Sequence, residues 1–177
     1  MGFMVVDQEG RIYIRKKRGK LADVEEFLGF DSFDGLVGIA HTRWATHGEP
    51  SDRNAHPHID CGGCISIVHN GTLQNYQELK EYLVSRGHLL RSDTDTELIA
   101  HLLEEKLLEG LSPLDALREV VRIIRVLRFN NNTVRASKIP ALKDEACLLL
   151  TLKKVVDTWA PKTGKLSPIE RIIITLI

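Results

Sequence analysis

All 7 histidines and 12 of the 13 glycines of this 177-residue chain lie before residue 126. Residues 1–125 carry 15 Lys and Arg against 20 Asp and Glu, whereas residues 126–177 carry 9 against 4. Two populations of sequence therefore meet near Arg125. The expectation is a domain over 1–125 and a divergent tail over 126–177, frameshifted or replaced. The two charge balances cancel to zero formal charge, so no overall field draws the chain to nucleic acid or to an anionic membrane. No apolar run approaches the roughly 20 residues of a bilayer span. The first residues lack the basic start and long apolar core of a secretory signal. Three cysteines make no disulfide framework. A cytoplasmic protein with reduced thiols is expected.

Within 1–125 short elements alternate. Gly2–Asp7 and Arg11–Arg15 are β-forming runs around Gln8-Glu9-Gly10, a hairpin signal. Ala22–Leu28 reads as a short helix stopped by Gly29. Leu36–Arg43 and Cys64–His69 read as buried strands. Apolar residues at 73, 76, 79, 82 and 83 have helical spacing before Gly87, and Asp95–Leu108 repeats the pattern. Ser112-Pro113-Leu114-Asp115 has the hydroxyl, proline and acid of a helix start. In the tail, Leu142–Trp159 reads as a helix and Ile169–Ile177 as either strand or helix. Arg128–Lys138 shows no period.

Five of the seven histidines, His41, His47, His56, His58 and His69, fall in or beside polar loops that leave apolar strands. Loops at strand ends are where sites are commonly built. Taken singly these residues have plainer readings: Arg43 as a surface ion pair, Asp95 as an acid at a helix start, Asn70-Gly71 as a hairpin turn, Trp44 as core. Their order and spacing point elsewhere. Gly38-Ile39-Ala40-His41-Thr42-Arg43-Trp44-Ala45-Thr46-His47-Gly48, Asn54-Ala55-His56-Pro57-His58, Val68-His69-Asn70-Gly71 and Ser92-Asp93-Thr94-Asp95-Thr96-Glu97 together resemble the class II glutamine amidotransferase domain. Within that class the chain is similar, over about residues 2–125, to the glutaminase half of the glutamine–fructose-6-phosphate aminotransferases.

The resemblance implies an α+β, four-layer αββα N-terminal-nucleophile hydrolase fold, with two antiparallel sheets between helix layers. It implies hydrolysis of the L-glutamine side-chain amide and delivery of ammonia to a sugar phosphate held by a second, isomerase-type domain. Arg43 matches the arginine that pairs with the α-carboxylate, a role suited to a planar fork of N–H donors. Thr46 and His47 match positions that complete the pocket, and Asp95 the acid that receives the α-ammonium. Asn70 and Gly71 match the donors fixed where the oxyanion develops. His56 matches a supporting histidine, and Trp44 the tryptophan that gates the ammonia path.

The family's nucleophile is a cysteine at residue 1, with its own α-amine as base. Here Met1-Gly2 stands first, so the fold is expected to lack its first strand and helix, and the chain to be inactive by itself. Missing strands expose sheet edges, and self-association is expected from them and from the apolar end Ile172–Ile177. A non-catalytic glutamine-binding or partner-binding remnant is the alternative function. A metal hydrolase built on His56-x-His58 with His47 or His69 is a further one. The single Cys61-Gly-Gly-Cys64 pair is a weak zinc or redox signal, Cys147 reads as a small buried apolar residue, and neither metal nor cofactor is expected.

Overall fold

β-formers alternate through the first sixteen residues, and the chain there folds back on itself. Strand β1 (Gly2–Asp7) pairs antiparallel with β2 (Ile12–Lys16), with Gly2 opposite Lys16 and Val6 opposite Ile12. The computed structural model describes residues 1–7, 11–29, 32–33, 35–43, 47–125, 132–138, 147–154 and 171–176. On the other side of β1 runs β3 (Gly35–His41), also antiparallel, which gives a three-stranded sheet in the order β2-β1-β3. Successive residues of a strand point to opposite faces, so this sheet has two apolar sides. Phe3 and Val5 pack against α1 (Leu21–Leu28) through Val24 and Leu28. Met4, Val6 and Ile39 face the second sheet, where they meet Val68. Helix α1 stops at Gly29, whose φ of +57° is the left-handed conformation that glycine tolerates, and its N–H reaches back to the Glu25 carbonyl.

The second sheet has the order β4-β5-β8-β7-β6. Two-residue β4 (His58–Ile59) pairs antiparallel with β5 (Ile65–His69). While Val68 faces the first sheet, Ile65 and Ile67 face the helices. There they join the main core with Leu79 and Leu83 of α2 (Tyr76–Ser85), Leu98, Ile99, Leu102 and Leu103 of α3 (Asp95–Leu108), and Leu117 and Val120 of α4 (Pro113–Ile123). The order helix, sheet, sheet, helices is the expected four-layer α+β arrangement. It places the C-terminal ends of β3 and β5 and the start of α3 around one point.

Three expectations need correction. The 73–85 helix begins at Tyr76, because tertiary partners take the preceding amides: Leu73 N–H donates to Asp95 Oδ2 (2.8 Å) and Gln74 N–H to the Arg125 carbonyl (2.7 Å). The tail is stranded where it is described, in β6 (Asn132–Lys138), β7 (Cys147–Lys154) and β8 (Arg171–Leu176). The helix expected over 142–159 is thus strand at 147–154, where its backbone is held by β6 on one side and β8 on the other. Third, the second sheet is mixed, since β8 runs parallel to both β5 and β7. β8 therefore covers the edge of β5 that a missing strand was expected to expose.

Local signals hold at α4. Ser112 Oγ accepts the Asp115 N–H at 3.2 Å, with Pro113 at the first helical position. Ser112→Ala should cost about 1 kcal/mol, the usual value of such a cap, read as a shift in the urea midpoint with unchanged slope.

Candidate functional site

The cavity of about 230 Å³ at the junction of β3, β5 and α3 is lined by His41, Arg43, His56, His69, Asn70, Gly71, Thr72, Asp95 and Thr96. Five of the eight residues singled out from the sequence are thus in its wall: Arg43, His56, Asn70, Gly71 and Asp95. His47 stands next to them, its Nδ1 3.6 Å from Asp95 Oδ2 and its ring 4.9 Å from that of Tyr76. Trp44 and Thr46 lie outside the described residues.

Two opposite charges face the cavity, each fixed by backbone. The Arg43 guanidinium donates to three successive carbonyls of the following loop: His47, Gly48 (3.0 Å) and Glu49 (3.4 Å). A guanidinium has five N–H groups, so two remain beyond these three among the described contacts. The loop is itself pinned. Buried Asn54 donates to the Glu49 carbonyl (3.0 Å) and accepts the Asp93 N–H (2.9 Å). Gly48 has φ +70°, and a Cβ there would lie 2.7 Å from Asn54 Nδ2. Asp95, the first residue of α3, is 3% exposed. Its Oδ2 accepts the Leu73 N–H, and a carboxylate at a helix start is favoured by the dipole. Arg53, whose side chain is exposed, is ion-paired with Asp93.

The remaining polar wall is neutral. His41 and His56 stack with ring centres 4.4 Å apart, and His56 meets His58 edge-on at 4.8 Å. Burial, reinforced by neighbouring positive groups, pushes His56 down to about 2 and His58 well below the ordinary imidazole value. Burial also lowers His41, and it lowers His69 against the opposing pull of Asp95. Neutral His56 accepts the His69 N–H on Nδ1 (3.5 Å). His41 Nε2 lies 2.5 Å from Asn70 Oδ1. If that nitrogen carries the proton, the Asn70 carbonyl is engaged and its NH₂ is turned the other way, as a donor.

The metal alternative drawn from these histidines has no geometric support. His58 spends its ring nitrogens on Ser92 Oγ (3.4 Å) and Thr94 Oγ1 (3.0 Å), and His69 Nδ1 faces Thr96 Oγ1 (3.4 Å). Sequence reasoning missed His41, His69 and Thr96 as wall residues, and Asn54 and Glu97 as the buried groups that brace it. Glu97 accepts from Arg91 N–H, Ser92 N–H and Ser92 Oγ at 2.6–2.7 Å. Their signal was present in the quoted motifs, but nothing in a motif separates a wall residue from a brace.

The glutamine amidotransferase domain family matches residues 28–117, about half of the chain. Among curated proteins, the chain is 52% identical over 124 residues to a glutamine–fructose-6-phosphate aminotransferase (isomerizing) of Pyrobaculum aerophilum, covering 70% of this chain and 20% of that protein. The enzyme of that name from Pyrococcus horikoshii is 59% identical over 99 residues (56% and 17%), and that of Thermus thermophilus 50% over 124 (70% and 20%). The chain thus spans about a fifth of the length of these relatives. Among solved structures, glutamine phosphoribosylpyrophosphate amidotransferase from B. subtilis superposes with a TM-score of 0.59 at 24% identity, over 71% of this chain and 27% of that one, which speaks for the fold. From the match over 28–117, a span that contains every described residue lining the cavity, the chain belongs to the glutamine amidotransferase domain family.

Proposed function

We propose that this domain binds L-glutamine in the β3–β5–α3 cavity and serves hydrolysis of its side-chain amide. The observation that carries the reading is one fixed guanidinium and one fixed carboxylate on the walls of a small, otherwise neutral cavity. A free α-amino acid presents the complementary pair, a carboxylate for Arg43 and an ammonium for Asp95. Thr46 and His47 would complete that end. At the other end, Asn70 NH₂ and the Gly71 N–H are suited to an amide oxygen that gains negative charge. His56 would support this wall as a neutral ring, and Trp44 would stand on the ammonia path. By analogy with the glutamine–fructose-6-phosphate aminotransferases (isomerizing) named above, the ammonia would pass to a sugar phosphate in an isomerase-type domain. We place the protein in the cytoplasm; no helix of the described residues is long and apolar enough to cross a membrane.

A second reading, a glutamine-binding module without turnover, has one specific observation in its favour. Among the described residues none that lines the cavity is a cysteine, and Cys61 lies on the β4–β5 turn, against His88 and His101. The 177-residue chain assayed by itself should therefore release no ammonia from glutamine above background, since fixed donors orient an amide but form no thioester. Glutamate formation at about 1 s⁻¹ or faster, within the ordinary enzyme range, would show that the chain holds a nucleophile of its own and remove the second reading.

A further inference from the structure

About two turns along α3 from the cavity, four side chains from three segments converge. Cys61 comes from the β4–β5 turn, His88 from the stretch after α2, and His101 and Glu104 from α3. Their ligand atoms all lie within 4.8 Å of one another. Cys61 Sγ is 3.6 Å from His88 Nδ1 and 3.5 Å from His101 Nδ1. The two Nδ1 atoms are 3.1 Å apart, and Glu104 Oε2 is 3.2 and 3.4 Å from them. A tetrahedral zinc ion with the usual bond lengths has N···N and N···O edges of about 3.3 Å and S···N edges of about 3.5 Å. The five separations above match those edges to within a few tenths of an ångström, and Cys61 Sγ and Glu104 lie within 4.8 Å of each other.

The outer side of each ring points the same way. His88 Nε2 is 3.0 Å from Glu105 Oε1, and His101 Nε2 faces Glu97 Oε1 at 3.7 Å. A carboxylate behind Nε2 favours the proton on that nitrogen, which leaves the Nδ1 lone pair aimed inward. Two ring nitrogens, a carboxylate oxygen and a sulfur thus converge in a site where His101 is 1% exposed.

We propose that Cys61, His88, His101 and Glu104 form a zinc site. A thiolate with two imidazoles selects zinc over magnesium or calcium, and four protein ligands leave no open position, the mark of a structural site. On binding, the Cys61 thiol gives its proton to solvent. The ion ties the β4–β5 turn and the residues after α2 to α3. Its reach extends to the cavity: His101 backs onto Glu97, and Glu97 holds Ser92 and the segment that leads into Asp95. Cys64, the other half of the Cys-Gly-Gly-Cys pair, is not among the four.

The test uses the full chain without a histidine tag, stripped by chelator and checked as folded by circular dichroism. Zinc is then titrated in competition with a chromophoric chelator, and cobalt(II) is titrated in parallel. The expected result is one equivalent of either metal, a thiolate-to-cobalt charge-transfer band and a higher Tm. Cys61→Ser, at an exposed position that tolerates serine, should abolish the band. It should also weaken zinc by more than the roughly 10–100-fold that loss of an outer carboxylate costs. His88→Gln should weaken zinc likewise, and Cys64→Ser should change neither band nor stoichiometry. A folded parent that takes up no stoichiometric zinc would overturn the proposal, as would uptake that Cys61→Ser and His88→Gln leave intact.

Discussion

Acidification from pH 7 to pH 5 should cost the folded chain about 2 kcal/mol through His56 alone, set against an ordinary unfolded pKa near 6.5, with His58 adding to the loss. The sign follows from proton counts. Burial holds His56 at about 2, so the folded chain keeps it neutral at pH 5, and burial shifts His58 well below its ordinary value in the same direction. The unfolded chain protonates both. It therefore binds more protons than the native state below pH 6.5, and stability falls as the pH drops through that value. His41 and His69 are shifted in the same direction and add to the loss. Against a total stability of about 5–15 kcal/mol for an ordinary domain, this is a large share. Guanidinium unfolding at pH 7, 6 and 5 reads the slope, and stability that is flat across this range would contradict the burial of these rings. His58→Asn, which removes one of the titrating groups, should flatten the slope.

Arg43→Ala should weaken glutamine binding by about 2–3 kcal/mol, roughly 30- to 150-fold, from the loss of charge-assisted hydrogen bonds to the α-carboxylate. Arg43→Lys should recover little. A lysine ammonium has neither the fork that meets a carboxylate nor the plane that meets the His47, Gly48 and Glu49 carbonyls together. Asp95→Asn should weaken binding by removing the countercharge to the ammonium, while its amide still offers an oxygen to the Leu73 N–H. Arg53→Ala, at the exposed ion pair with Asp93, should leave affinity within about twofold, as surface pairs contribute little. Calorimetric titration compares the four variants. Equal affinity in the parent and Arg43→Ala would show that the carboxylate lies elsewhere.

What could be read from the sequence was local. Ser112 as a cap, Gly29 as a stop and Asp95–Leu108 as a helix depend on neighbours within a turn or two, and all stand in the fold. The start of α2 could not be read, because Asp95 and Arg125 take the amides of Leu73 and Gln74 across more than twenty and fifty residues. β4 is two residues long and exists only as a partner of β5. The described part of the tail has its strands set by pairing of β8 with β5, more than a hundred residues apart in sequence. At the site, Arg43, Asn70 and Asp95 were legible as members of ordered motifs. His41 stands in the same motifs without a role, and His69 only as a ligand of the metal alternative, since only the meeting of two strand ends makes them one wall. Cys61, His88, His101 and Glu104 share no spacing that a metal motif would show. Only His101 and Glu104, three apart on α3, are neighbours in sequence.

The central claim is that the cavity recognises glutamine by both of its main-chain charges. The most direct measurement is a calorimetric titration of the unmodified chain with L-glutamine, with glutaramic acid, which lacks the α-ammonium, and with glutaminamide, which lacks the α-carboxylate. The account predicts saturable binding of glutamine and markedly weaker binding of both analogues, with the Arg43→Ala protein no longer distinguishing glutamine from glutaminamide. Equal binding of all three ligands, or no binding of glutamine to the folded chain, would contradict it.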